Sequence, residues 1–585
     1  MSERIKITLR EGSGGSSYEL MHDKKNTLLE TMREGAVMLP SLCGGVGKCG
    51  KCVVRFVSHA PLPTQTDRSL IPPERLREGC RLACMARPKR ECSVVTDFAE
   101  EKRAEEGRCQ VVTECRAKEG EERISQGKET EEEQGSRGEE NTDDKYAADG
   151  NFGAEETLIA ADIGTTTVAM QLLDIGTGRP IDTYTCLNPQ RSYGADVISR
   201  IKAAEGDGGK KLQTLIWDTL AAGRERLENS AVGHGGGKPR LMVIACNTAM
   251  GHILLGYPTE TLGKSPFRPV DIKTSFFSWN GMEVAVMPGI SAFVGGDILA
   301  GLFACGLCGP VSGGSGKTGY EGLRPACEPC RPDSGRGGQE ENGPETPAWL
   351  FMDLGTNAEM VMGTGCRVAA TAAAAGPAFE GRGKDGSLGS ERISALADLL
   401  EKGIADGTGL LAEPYFATGI ETEIGDGTRR VMIRQEDIRD IQMAKAAVRA
   451  GIHFLMKRLE IKDAGRIKKI YIAGGMGFYL DIKAAVRTGL LPEGLGGNPE
   501  AVGNTALAGA GLFGRKGGGR RVGAKDGTNH MGNGEQKRRN RQEAAQELEA
   551  FAQRAEVFNM AELETFEEVY VGYMDFDCKE IEGML

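Results

Sequence analysis

No run of this sequence approaches the ~18 apolar residues needed to span a bilayer. The N-terminal stretch MSERIKITLREG is charged within its first residues and lacks the apolar core of a signal peptide. Together these absences predict a cytoplasmic protein with no membrane partner. Basic charge is also short: the formal net charge is −11, which argues against a nucleic-acid partner, normally marked by a basic patch. Aromatic residues make up only 5% of the chain, and the 6 histidines form no cluster, so histidine offers no metal or acid–base site. Cysteine is what the chain has in excess. Disulfides are rare in a reducing compartment, so 16 cysteines read as metal ligands plus a few inert core thiols.

At 585 residues the chain is too long for one domain. Residues 1–98 read as a compact unit. RIKITLRE is a strand, YELMHD its hairpin partner, and NTLLETMREG a short helix with Asn26 at its N-cap and Gly35 as its stop. KCVVRFV and CSVVTDF are the strands that follow. Residues 99–154 collapse into Glu, Lys, Arg, Gly and Gln; too few apolar residues remain to bury a core, which predicts a disordered, charged linker. From 155 onward strands and helices alternate, the pattern of an α/β fold. It divides into 155–348, with a Gly/Cys-rich insert at 306–346, and 349–585, with a Gly/Lys/Arg-rich insert at 515–542. Both inserts read as surface loops, which cost a fold little free energy. The closing stretch AEVFNMAELETFEEVYVGYMDF reads as a strand plus a helix.

The stretch LCGGVGKCGKC, Leu42 to Cys52, has three cysteines and four glycines in eleven residues. Cys43, Cys49 and Cys52 are spaced C-x5-C-x2-C, and Cys84 follows in CRLACMARP. An iron–sulfur cluster needs four converging thiolates, and glycines let the backbone wrap it with N–H groups toward its sulfurs. Three ligands on a loop and one from afar is the plant-type [2Fe–2S] arrangement, with the first gap one residue longer here. A zinc site is the alternative, but zinc loops favour two separated Cys-x-x-Cys pairs. Cys80 competes with Cys84 for the fourth place; RLAC resembles the last-ligand segment of ferredoxin-like domains, which favours Cys84.

Two further stretches share one plan. LIAADIGTTTVAMQLLD and WLFMDLGTNAEMVMGTG each run an apolar strand to an Asp, Asp162 or Asp353, then a Gly-Thr turn, then a second strand. The repeat predicts two homologous halves. The glycines Gly164 and Gly355 let backbone N–H groups approach phosphate oxygens. Thr165, Thr166, Thr167, Thr356 and Asn357 add polar donors, and the Asp can hold Mg²⁺ through water. A third piece, IKKIYIAGGMGFYLDIKAAV, is a strand, a turn with Gly474, Gly475 and Gly477, and a helix able to seat an adenosine. Each turn alone is a common structural device; the three in this order are far more specific. VSGGSGKTG looks like a phosphate loop but has Val311 where that motif requires Gly.

That order resembles the actin, sugar-kinase and Hsp70 ATPase superfamily, which implies two RNase H-like lobes with nucleotide between them and Asp162 and Asp353 flanking Mg²⁺ and the hydrolytic water. The union of a β-grasp [2Fe–2S] ferredoxin-like domain, a linker and such an ATPase resembles the ATP-dependent reductive activators of corrinoid proteins. ACNTAMGHILLGYP, FVGGDILAGL, AAAAGPAFEG, DIRDIQMAKAAVRAGI and IAGGMGFYLDIKAAVRTGLLP also look like that family. The resemblance implies that ATP hydrolysis drives the return of an inactive Co(II) corrinoid protein of a methyltransferase system to Co(I). It further implies an upstream low-potential electron donor and a homodimer. One departure is the short RGKDGSLGS after GPAFEG, where relatives carry a longer segment. Glu380 could orient water there, although a solvated loop residue is the commoner case. The rival readings are an ATP-driven electron donor to another metalloenzyme and a redox-sensing, nucleotide-dependent binding protein. Cys305, Cys308, Cys327 and Cys330 have zinc-ribbon spacing, with reduced surface thiols as the alternative.

Overall fold

A computed structural model describes residues 4–11, 17–35, 37, 39, 45, 47, 50, 52–96, 157–194, 196–233, 237–308, 346–355, 357–379, 387–424, 429–516 and 533–577. The linker, Cys43, Cys49, Thr356, Glu380, the segment after Gly381, Cys327, Cys330 and most of both inserts lie outside them. Among the described residues no helix is long and apolar enough to cross a membrane.

The N-terminal unit is a β-grasp. Strands β1 (Arg4–Glu11), β2 (Ser17–Asp23), β3 (Val53–Phe56), β4 (Cys80–Leu82) and β5 (Cys92–Thr96) form one sheet in the order β2-β1-β5-β3-β4, with β1 and β5 parallel. Alternate residues Ile7 and Leu9 of β1 and Val94 of β5 pack under the helix Leu28–Glu34 through Leu28 and Met32, all fully buried. That helix starts one residue later than the sequence suggests. Thr27, not Asn26, is the N-cap, because Thr27 has Glu30 at its third helical position and the two close a reciprocal capping box. Asn26 instead closes the preceding turn onto the Asp23 carbonyl at 2.9 Å, and Gly35 is the C-cap as expected.

Two six-stranded sheets follow, built to one plan as the internal repeat predicts. The first holds β6 (Thr157–Ile163), β7 (Thr167–Asp174), β8 (Pro180–Leu187), β9 (Leu241–Cys246), β10 (Ser275–Trp279) and β11 (Met282–Val286) in the order β10-β11-β9-β6-β7-β8. The second holds β12 (Ala348–Leu354), β13 (Ala358–Thr364), β14 (Arg367–Ala373), β17 (Ile467–Ala473), β18 (Pro499–Gly503) and β19 (Ala555–Val557) in the order β18-β17-β12-β13-β14-β19. A separate hairpin joins β15 (Ile420–Ile424) to β16 (Arg429–Ile433). In each sheet the first two strands are an antiparallel pair and the first strand also pairs in parallel with a later one, β9 or β17. β6 and β12 therefore sit inside their sheets and read as unbroken apolar runs, as buried strands do.

The halves interlock more than a cut at residue 348 suggests. The helix Thr505–Arg515, late in the second half, packs on β6 and β9 of the first sheet and on the helix Gly296–Ala304. A single core therefore joins Leu158, Ala160 and Val243 of one sheet to Phe351 and Val361 of the other, with Leu507 and Phe513 between them. The helix Asn533–Arg554 enters the same core through Leu548 and Phe551. It starts within the stretch read as a surface insert, and Arg541 is buried against Glu283 at 3.0 Å. Cys366 is disulfide-bonded, whereas the sequence reading expected the cysteines to be metal ligands and inert core thiols.

The helix crossing depends on small residues. A β-carbon on Gly509 would collide with the Ala300 carbonyl oxygen, and one on Gly301 would meet Phe351 and the Thr505 hydroxyl. Gly509→Ala should cost about 1–3 kcal/mol, the usual penalty for overpacking. A denaturant melt should show it as a lower midpoint for the two-lobed domain with the N-terminal domain unchanged. An unchanged midpoint would mean that the helices separate freely.

Candidate functional site

The cysteine loop follows the helix Leu28–Glu34, and the segment that carries Cys84 is fastened to that helix. The backbone N–H groups of Leu28 and Leu29 donate to the carbonyls of Ala86 and Ala83 at 2.8 and 3.0 Å. This holds Cys84, itself buried, with its Sγ 3.2 Å from Cys52 Sγ. Neither is in a disulfide, and the separation is far beyond the roughly 2.0 Å of an S–S bond. The donor set fits thiolate ligation at this pair. Cys80 is buried in β4 with its backbone paired to Arg55. Among the described residues no group of three or more His, Cys, Asp or Glu gathers as a metal site; Cys43 and Cys49 lie outside them. Cys305 packs in the core of the two-lobed domain, and burial pushes the Cys308 thiol up.

The second site lies where β6 and β12 end. Asp162, opposite Ala169 in the β6–β7 pair, is followed by a tight turn closed by Gly164 N–H donating to the Thr167 carbonyl at 2.9 Å. At Asp353 the matching turn is closed from Gly355 N–H to the Asn357 carbonyl at 2.8 Å. The third motif meets the second. Gly474 has φ +85°, and a β-carbon on it would lie 2.5 Å from Asp353 Oδ1, so only glycine fits there. Gly475 faces open space, and Gly477 packs on Ile472. Thr165 Oγ1 accepts from Asn247 Nδ2 at 3.1 Å. The Thr166 carbonyl accepts from Asn188 N–H, and Thr167 opens β7.

Two side chains that the sequence reading did not single out complete this site. Asn504, the N-cap of the helix Thr505–Arg515, donates from Nδ2 to Asp162 Oδ2 at 2.9 Å. Asp297, in the first turn of the helix Gly296–Ala304, accepts from Ile298 N–H at 2.8 Å. FVGGD is the only local signal for Asp297: a β-carbon on Gly295 would be 2.5 Å from Asn247 Cα, so the glycines let this helix start against the Asn247 turn. Nothing local marks Asn504, whose partner is 342 residues away.

Both residues keep some exposed surface, yet protein surrounds their carboxylates deeply enough for burial to dominate. Burial pushes Asp162 up to about 6, opposed by the Asn504 hydrogen bond. Burial and the Asp162 charge push Asp297 up to about 7, opposed by the Ile298 N–H. Between about pH 4 and 7 these two carboxylates bind more protons in the folded chain than in the unfolded one, so their contribution to stability falls as pH rises, while His22, His252 and His453, whose pKa burial lowers, contribute in the opposite sense. Without divalent cations, the thermal midpoint of Asp297→Asn should gain on that of the wild type as pH rises from 5 to 7.5. Equal slopes in the two proteins would count against a coupled carboxylate pair.

A ferredoxin-type cluster domain joined to a two-lobed ASKHA nucleotide-binding fold is the class these two sites define. Residues 13–89 match the 2Fe-2S iron-sulfur cluster binding domain. Residues 158–309 match the RACo middle region, and residues 348–391 and 384–517 match the C-terminal domain of RACo, the ASKHA domain. The chain belongs to the RACo family. It is 29% identical over 420 residues to the corrinoid activation enzyme RamQ of Eubacterium limosum, covering 61% of this chain and 63% of that protein. The chain thus spans less than two thirds of that relative's length. Over 65 residues it is 37% identical to one component of the Na(+)-translocating NADH-quinone reductase of Chlamydia trachomatis serovar D, or 11% of this chain and 15% of that one. A solved reductive activator for corrinoid, iron-sulfur protein superimposes with TM-score 0.53 at 22% identity, covering 98% of both chains, a likeness of fold.

Proposed function

We propose that this protein is an ATP-dependent reductive activase that returns an inactive Co(II) corrinoid protein of a methyltransferase system to Co(I), taking the electron from its iron–sulfur domain. The observation that carries the reading is the meeting of Asp162, Asp297 and Asn504 at the first phosphate turn of a chain that also bears a [2Fe–2S] domain. Cys43, Cys49, Cys52 and Cys84 are the proposed cluster ligands; the close approach of the Cys52 and Cys84 sulfurs supports the last two. The cluster, when bound, supplies a one-electron carrier, near about −400 mV if it behaves as the plant type. Reaching Co(I) needs a lower potential, and nucleotide can help only by favouring one state of the activator and its partner over another.

In this reading the turns at Gly164 and Gly355, with Thr165, Thr166, Thr167, Thr356 and Asn357, cradle the ATP phosphates, and Gly474, Gly475 and Gly477 seat the adenosine. Asp162 and Asp353 would hold Mg²⁺ and orient the hydrolytic water; Mg²⁺ would supply charge neutralisation at the phosphates. Asn504 fixes the Asp162 carboxylate. Asp297, whose pKa the neighbouring Asp162 charge helps to raise, is the candidate acceptor for the attacking water's proton. The reading includes a low-potential donor upstream, a cytoplasmic setting and a homodimer. The test is anaerobic: reconstitute the cluster, supply a low-potential reductant and a Co(II) corrinoid protein, and follow Co(I) absorbance with and without MgATP. Co(I) that forms only with MgATP supports the activase. Co(I) formation indifferent to MgATP, with a cluster that reduces normally, would assign the nucleotide site to another task.

A further inference from the structure

The iron–sulfur domain touches the first lobe where that lobe also holds its phosphate turn. Arg33, on the helix Leu28–Glu34, donates its guanidinium to the Ser192 carbonyl and lies 4.6 Å above the centre of the Tyr193 ring. The contact borders a cavity of about 410 Å³ lined also by Tyr184, Leu187 and Pro189. On its other side Arg33 reaches the cysteine loop, where a β-carbon on Gly45 would be 3.8 Å from both terminal guanidinium nitrogens. Burial lowers the pKa of Arg33, while Tyr193, Glu30 and the Cys52 and Cys84 thiols act to raise it. One side chain therefore faces the lobe and the cluster loop together.

Ser192 and Tyr193 end a segment that grips the turn. Asn188, fully buried, donates from its backbone N–H to the Thr166 carbonyl at 2.9 Å and from Nδ2 to the Gly164 carbonyl at 2.8 Å. Its Oδ1 caps the 3-10 turn Pro189–Ser192 by accepting from Gln190 N–H at 3.0 Å. Arg200, also fully buried, donates to the Thr165 carbonyl and, from Nε, to the Gly194 carbonyl at 2.9 Å. Three successive turn carbonyls are thus held on one side. Because a trans peptide is planar with C=O and N–H opposed, the N–H groups that follow them are directed to the other side. The grip of Asn188 and Arg200 sets the donor array that a phosphate would meet.

We propose that the segment from Asn188 to Gly194, together with Arg200, is a relay that couples nucleotide binding at the Gly164–Thr166 turn to docking of the iron–sulfur domain through Arg33. This rests on the reading that the turn binds phosphate. Docking fixes Ser192 and Tyr193, which fixes Asn188, which pre-organises the turn; nucleotide and docking therefore favour each other, and by linkage each changes the other's equilibrium by the same factor. The test is MgADP affinity of the full-length, cluster-loaded chain by titration calorimetry. Arg33→Ala should weaken binding about fivefold, the low end of typical coupling. Arg33→Lys, which keeps a cation over Tyr193, should recover part of it. Tyr193→Ala probes the same contact from the lobe side, so a folding defect in either domain cannot imitate the result, and the double variant should be no weaker than the single ones. Unchanged or tighter affinity in Arg33→Ala and Tyr193→Ala, with an unaltered cluster spectrum, overturns the relay. If the wild-type chain itself takes up no MgADP, the phosphate reading fails and the relay falls with it.

Discussion

Asp162→Asn is expected to cut MgATP turnover by about 10²–10³-fold, the usual loss when an aligned electrostatic group is removed from an active site. MgATP-dependent Co(I) formation should fall with it, while the cluster's visible spectrum stays as in the wild type. Asn is nearly isosteric with Asp and sits beside Asn504, so the substitution changes charge more than shape. The same change should stabilise the metal-free protein. Burial raises Asp162 to about 6, so carrying its charge at pH 7.5 costs the fold at most about 3 kcal/mol. Removing that charge also relieves Asp297, whose pKa the Asp162 carboxylate helps to raise. Loss of turnover together with a higher thermal midpoint at pH 7.5 is the signature of a carboxylate kept for function. Loss of both would mean that Asp162 serves the fold, and retained turnover would remove it from the nucleotide site.

The features that could be read in the sequence were those with local causes. β6 and β12 announce themselves as apolar runs ending in Asp before Gly-Thr, because a strand buried on both faces must be apolar throughout and a tight phosphate turn needs glycine at its start. The β-grasp domain was legible for the same reason, through alternating strands and one short capped helix. The misplaced cap is instructive: Asn26 and Thr27 are both good caps, and only the Glu three residues beyond Thr27 decides between them. Tertiary causes left no such mark. Asn504 reaches Asp162 because β18 delivers the next helix to the opposite sheet. Arg33 meets Tyr193 across 160 residues of sequence that include the linker. The helix Asn533–Arg554 was hidden by its polar composition, since few of its positions enter the core and most of its surface is charged.

Cys84→Ser should leave MgATP turnover close to the wild-type rate and abolish Co(I) formation, with the [2Fe–2S] absorption lost or strongly altered. Serine has nearly the shape of cysteine, and the segment carrying residue 84 is fixed by backbone bonds from Leu28 and Leu29 that the substitution does not touch. What changes is the proposed ligand: a hydroxyl is a far poorer partner for iron than a thiolate. Cys80→Ser is the matching control. Cys80 lies in β4 while the Cys84 sulfur meets Cys52, so the cluster should survive at Cys80→Ser and electron delivery with it. The two variants also separate the two sites. If Cys84→Ser stops Co(I) formation while nucleotide turnover persists, electron delivery and hydrolysis reside in different domains and the linker's task is to bring them to one partner. If Cys80→Ser loses the cluster and Cys84→Ser keeps it, the fourth ligand is Cys80, and the 3.2 Å approach of Cys52 to Cys84 is core packing alone.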